Sequence, residues 1–193
     1  MATNETLKPV AVPQSSIGAP LPHVFADEQT LFIAYLVEAP DPDFDGTNPR
    51  LMTPADGDDV VAILTAEYYL AFQFGPPNDE AIEGHRLYSL GLRPYAAFEV
   101  LNSSWIETLE KANRVHEHHK PERFFHHRHF ILTFQDTTLE FLAENFSVNL
   151  RKGAVLPALI EVVSSWSQAQ EIKHQEQLTE VLEIVRAKQE RKH

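Results

Sequence analysis

The stretch VVAILTAEYYLAFQF, Val60–Phe74, decides the fold class. Ala62, Leu64, Ala66, Tyr68, Leu70, Phe72 and Phe74 fall on one face, and Thr65, Glu67 and Gln73 on the other. Alternation with a period of two describes a strand with one buried face. A helix centred on Tyr68 and Tyr69 fits the pattern less well. Upstream, TLFIAYLVE between Gln29 and Glu38 is dense in β-branched and aromatic residues and reads as a first strand, ending at Ala39-Pro40. Downstream, Tyr95–Leu101, Phe130–Phe134 and Leu139–Val148 read as further strands. The last two join at Gln135–Thr138, where Asp and Thr bond their own backbone and favour a turn.

Between these strands, Ser103 or Ser104 caps a helix whose apolar stripe is Trp105, Ile106 and Leu109. Glu107, three residues after Ser104, has the spacing of a capping box. The segment Ala154–Lys192 is helical by composition. The expected fold is therefore α+β: an antiparallel sheet of about five strands packed against two helices. The leader, residues 1–24, holds Pro9, Pro13, Pro20 and Pro22 and reads as an extended or disordered arm outside the domain. Residues 25–170 form the single domain, and 171–193 a distal helix.

Composition narrows the function. The 193 residues carry a formal charge of -12 and include no cysteine. Thiol nucleophiles, disulfide scaffolds and zinc ribbons all need cysteine and are excluded. An acidic field repels DNA and anionic membrane, so neither is expected as a partner. No apolar run approaches the ~20 residues a membrane helix needs, and no signal-peptide core is visible, which suggests a cytoplasmic protein. Phosphate-loop, dinucleotide and G-x-S-x-G signatures are absent.

Four features offer chemistry. The loop PNDEAIEGHRLY holds Glu80, Glu83 and His85, a histidine near carboxylates that suits a general base. The run HEHHKPERFFHHRH places His127 and His129 two apart, on one side of a strand if one begins there. With His85 they make a candidate site for Zn or another divalent transition metal. The same histidines equally suit an exposed hinge, and crowded together they would repel one another below about pH 6. Asp41, Asp43, Asp45 and Gly46 open like a calcium loop, but Met52 stands where that loop needs Glu. Arg123 and Arg128 interleave with Phe124 and Phe125, a small basic-aromatic stretch that suits either RNA contact or packing under the hairpin.

The patterns FGPPNDEAIEGHRLY, AFEVLNSSWIETLEKANRVH and HFILTFQDTTLEF resemble an uncharacterised family of soluble bacterial proteins. The resemblance covers Tyr69 to about Glu144. It implies no activity, cofactor or catalytic residue, only that the Asn78–His85 loop, the Trp105 helix and the hairpin form one module.

The C-terminal helix has two apolar faces. Val155, Leu159, Val162, Val163 and Trp166 form one, and Leu178, Val181, Leu182 and Val185 the other, rotated by roughly a quarter turn at ~100° per residue. One straight helix cannot bury both against one surface. Either it breaks near Gln168–Gln175, or its distal part meets another surface such as a second subunit. The leading expectation is a non-enzymatic interaction protein that self-associates and binds a protein partner through Leu178, Val181, Leu182 and Val185, without a cofactor. The competing one is a metal-dependent enzyme acting on a small molecule, with Glu80 or Glu83 as base.

Overall fold

Two antiparallel sheets lie face to face. The computed structural model describes residues 4–38, 57 and 59–190, and side chains to residue 183. The strands are β1 (Thr6–Pro9), β2 (His23–Ala26), β3 (Thr30–Leu36), β4 (Val60–Glu67), β5 (Ala71–Gly75), β6 (Ala97–Leu101), β7 (Arg128–Thr133), β8 (Thr138–Ala143) and β9 (Ser147–Lys152). Helices are α1 (Ser104–Asn113), the single turn α2 (Glu122–Phe125) and α3 (Val155–Glu190). Sheet I has the order β1-β6-β7-β8-β5 and sheet II the order β2-β3-β4-β9. The α+β class and the antiparallel pairing hold, and a second sheet joins the one expected.

Strand alternation builds the core. Leu31, Ile33, Tyr35, Ala62, Leu64 and Ala66 of sheet II meet Phe130, Leu132, Phe134, Leu139, Phe141 and Ala143 of sheet I. The other face of sheet II, with Phe32, Ala34, Leu36, Val61 and Ile63, is covered by Val155, Ala158 and Leu159 of α3. Trp166 adds an edge contact to Phe32 at 5.6 Å. The outer face of sheet I is covered by α1, α2 and the short 3-10 turns at Ile82–Gly84 and Tyr88–Leu90. β3 is thus buried along its whole length, which explains why its sequence is a continuous apolar run.

Two long strands expected from periodicity divide. Val60–Phe74 is β4 in sheet II and β5 in sheet I, separated at Tyr68, which has φ 53°. Ala62, Leu64 and Ala66 enter the core, while Tyr68, Phe72 and Phe74 are exposed. Leu139–Val148 divides likewise at Glu144–Phe146, where the chain passes from β8 to β9. At both places the chain crosses between sheets, and the register of one alternation does not carry across the corner.

The leader is extended, as one expected form had it, but it does not lie outside the domain. β1 pairs β6 with Leu7 opposite Val100, and β2 pairs β3 with Val24 opposite Ile33. Ser15 bridges Val37 between them. Its four prolines sit on edge strands or in connections, where a missing N–H breaks no central ladder. The calcium-like loop Asp41–Met52 lies outside the described residues.

The two-sheet core makes a direct prediction. Phe130→Ala, at 1% exposure, costs about 3–5 kcal/mol in denaturant unfolding. Phe72→Ala, 36% exposed on β5, costs less than about 1 kcal/mol. Equal losses would contradict the two-sheet core.

Candidate functional site

A buried polar network lies between the outer face of sheet I and α1. It begins with strand alternation. In the β7–β8 ladder His129 stands opposite Leu142, and Ile131 opposite Glu140. These four side chains share one face, and their neighbours Phe130, Leu139 and Phe141 point into the core. His129 and Glu140 are therefore diagonal neighbours, and His129 Nε2 reaches Glu140 Oε2 at 2.9 Å.

The strand-to-helix turn after β6 supplies the next member. Asn102 adopts a left-handed φ of 56°, which Asn tolerates better than most residues. Its Nδ2 donates to the Asn4 carbonyl at 3.1 Å. Ser103 then caps α1, accepting from Ile106 N at 3.3 Å. The same Oγ lies 2.8 Å from His129 Nδ1. Ser104 is therefore the first helical residue rather than the cap. Glu107 pairs with Lys111 at 3.6 Å, one turn along the helix, instead of closing a capping box.

Two further elements close the network. In the loop before the second 3-10 turn, His85 Nδ1 accepts from Leu87 N at 3.2 Å, so Nε2 carries the proton that faces Glu140 Oε1 at 3.3 Å. Arg86 divides its guanidinium between Glu140 Oε2 at 2.9 Å and Glu5 Oε2 at 2.7 Å. Glu5, just before β1, also accepts from Ser104 N at 2.8 Å and Ser104 Oγ at 2.9 Å. Trp105 stands edge-on to the His129 ring at 5.3 Å.

Burial alone would raise the Glu140 carboxyl. Hydrogen bonds from His129 and His85, and the fields of His129 and Arg86, outweigh it and hold the group well below the usual carboxylate range. Glu140 is thus an anion that only accepts, which places a proton on His129 Nε2. The other ring nitrogen, Nδ1, faces the Ser103 hydroxyl.

Ser103 and His129 line a cavity of about 330 Å³ with Val100, Ile106, Phe125 and His127. Its rim includes Glu99 and Arg128, joined by two bonds of 2.8 and 2.7 Å. The Arg128 hydrogen bonds lower the Glu99 carboxyl and raise the guanidinium. On the other side, Arg86, Ser104, Trp105 and Glu140 line a cleft of about 180 Å³.

Of the proposed catalytic trio, only His85 enters this network. Glu80 and Glu83 are exposed, and Glu83 accepts from Tyr88 Oη at 3.1 Å. Of the proposed metal ligands, His85 and His129 converge on Glu140. His127 precedes β7, and its Nε2 lies 3.4 Å from the Tyr68 carbonyl. Among the described residues, no group of three or more His, Asp or Glu side chains has the arrangement of a metal site. Three of the six histidines in the run HEHHKPERFFHHRH, His119, His126 and His129, face carboxylates. His119 lies 2.9 Å from Glu110, and His126 2.9 Å from Glu144. His126 and His127 are the ring pair in closest contact, at 4.4 Å.

Sequence reading missed Glu140, Glu5 and the link from Ser103 to His129. One signal was available: in TLEFLA, Glu140 is a lone charge amid apolar alternation. The meeting of residues 5, 86, 103 and 140 depends on tertiary topology.

The depressed Glu140 carboxyl sets the sign of a pH dependence. The folded group binds its proton less readily than the unfolded one, whose reference value is 4.5. Its stabilisation is present above that value and is lost progressively as pH falls below it towards the lower folded value. Glu140→Gln costs about 3 kcal/mol at pH 7, the penalty for removing one partner of a buried charge pair. The variant should also show a shallower fall in stability between pH 6 and pH 3. A wild-type and variant difference that stays constant over that range in thermal melts would refute the assignment.

Compared with known proteins, the chain matches no family model, no curated protein and no solved structure.

Proposed function

We propose that the chain is an interaction protein that self-associates through the unpartnered side of α3. One observation carries the reading. α3 runs unbroken for 36 residues, its core contacts end at Trp166, and every residue from 167 to 183 is exposed. The helix neither breaks near Gln168–Gln175 nor bends to bury its second face on its own domain.

Its exposed aliphatics fall in line. Leu178, Val181 and Leu182 are 50–57% exposed and cluster on one side. Exposed Leu156 and Ile160 lie on the same side, because Ile160 and Leu178 are eighteen residues apart, which is five helical turns at ~3.6 residues per turn. Ser164, Ser167, Glu171 and His174 fall on the same side between them, so this side carries two apolar patches about 27 Å apart at ~1.5 Å per residue. Val185 continues the distal patch in sequence but lies beyond the described side chains.

A helix surrounded by water gains little from its own backbone bonds, and most helical stability in proteins comes from packing an apolar face. A second copy offers the same patches. Each buried Leu or Val contributes about 1.5–3 kcal/mol, and six of them across a symmetric pair are comparable to the ~4–15 kcal/mol cost of association. The balance favours a dimer that forms with concentration. None of the described helices is long and apolar enough to cross a membrane.

Sedimentation equilibrium tests the reading. The full chain should associate, and the double variant Leu178→Asp and Leu182→Asp should sediment as a monomer with unchanged far-UV circular dichroism. Truncation after Gln170 should do the same while leaving the sandwich folded. A full chain that sediments as a monomer, or a variant with the same number of subunits as the full chain, would overturn the proposal.

A further inference from the structure

The Ser103–His129–Glu140 chain exceeds what a helix cap requires. A cap needs one oxygen for one backbone N–H, and Ile106 N already uses the Ser103 oxygen. Nothing in capping calls for a fully buried histidine at 2.8 Å from that oxygen, or for a carboxylate at 2.9 Å behind the ring. Burying such charges is costly, and apolar residues of similar volume would often serve stability as well. Ser103 and His129 also stand at the wall of a cavity of about 330 Å³, large enough for a small ligand, with Ser103 5% exposed and His129 behind it fully buried.

From this geometry we infer that Ser103 is a nucleophile, that His129 is its base, and that the chain hydrolyses a small uncharged carboxylic ester seated in the cavity. The substrate class follows from the walls. Val100, Ile106 and Phe125 offer apolar surface for a short acyl group. The Glu99 and Arg128 charges at the rim satisfy each other and leave no cation for an anionic substrate.

The chemistry balances within these groups. Ser103 Oγ bonds to the acyl carbon as its proton moves to His129 Nδ1, and the carbonyl π pair moves to oxygen. The oxyanion forms on the cavity side of Ser103; Glu5 already holds the Ser104 N–H at the start of α1, at 2.8 Å. Collapse restores the carbonyl and breaks the bond to the alkoxide, which leaves as alcohol with the Nδ1 proton. Water then bonds to the acyl carbon and gives a proton to Nδ1. Collapse returns that proton to Ser103 and releases the carboxylic acid.

Glu140 acts as a positioning residue, holding Nε2–H so that Nδ1 faces the hydroxyl. His85 and Arg86 hold Glu140 in turn. The two ring nitrogens exchange the roles they have in the chymotrypsin-type triad, but the requirement is the same: one nitrogen with a held proton and one with a free lone pair.

The test is intact-protein mass spectrometry after exposure to an alkyl fluorophosphonate, with peptide mapping, alongside hydrolysis of p-nitrophenyl acetate and butyrate. The full chain should gain one adduct, on Ser103, and turn over both esters. Ser103→Gly, a change that preserves a helix cap to within a few tenths of a kcal/mol, should stay folded by circular dichroism and lose both signals. In Glu140→Gln, below its melting temperature, the labelling rate should fall at least about tenfold, an effect a purely structural role would not produce in folded protein. A folded wild type that takes no label, or a Ser103→Gly variant labelled and active as wild type, would overturn the inference.

Discussion

The structure depends on one constraint: β3 and β4 are apolar on both faces and must be covered twice. One cover is sheet I, whose Phe130, Phe134 and Phe141 fill the space between the sheets. The other is the first three turns of α3. Once these covers are in place, the outer face of sheet I is the remaining sheet face near the domain surface, and α1 with the 3-10 turns closes over it. That face carries His129 and Glu140 amid Val100, Ile131 and Leu142. The polar network therefore sits where two layers meet, with His129 fully buried and Arg86 reaching the surface.

This placement gives the network its electrostatic character. A carboxylate on an exposed strand would titrate in the ordinary range and hold no ring in place. Under α1, Glu140 is surrounded by three donors from two segments, the His85–Arg86 loop and β7, and it remains charged because they outweigh the cost of burial. Arg86 then couples it to Glu5, which binds both the backbone and the hydroxyl of Ser104. The start of α1 is thus fixed by the N-terminal segment, the strand hairpin and the His85 loop together.

The sequence made much of this legible, and its failures have physical causes. Alternation located β4, and short runs dense in apolar residues located β3, β6, β7 and β8. These patterns ran through Tyr68 and through Glu144–Phe146, because residues on both sides of those corners are apolar and only the sheet they join changes. The leader was placed outside, because prolines read as breakers, whereas edge strands accept them. At the site, His85 and His129 stood out as residue types. Glu140 did not, because a single glutamate in a strand has no local mark of the charges that will meet it. The two faces of α3 were visible in its spacing, and the choice between a broken helix and an unburied face needed coordinates.

The leader's pairing also constrains the order in which the chain can fold. β1 has no partner until β6 exists, and Thr6 stands opposite Leu101. Glu5 likewise waits for Arg86 and Ser104. Contacts so distant in sequence slow folding, because a long loop must close before they form. The segment Glu5–Pro9 is therefore among the last to be placed, and until it pairs, β6 stands as an open sheet edge.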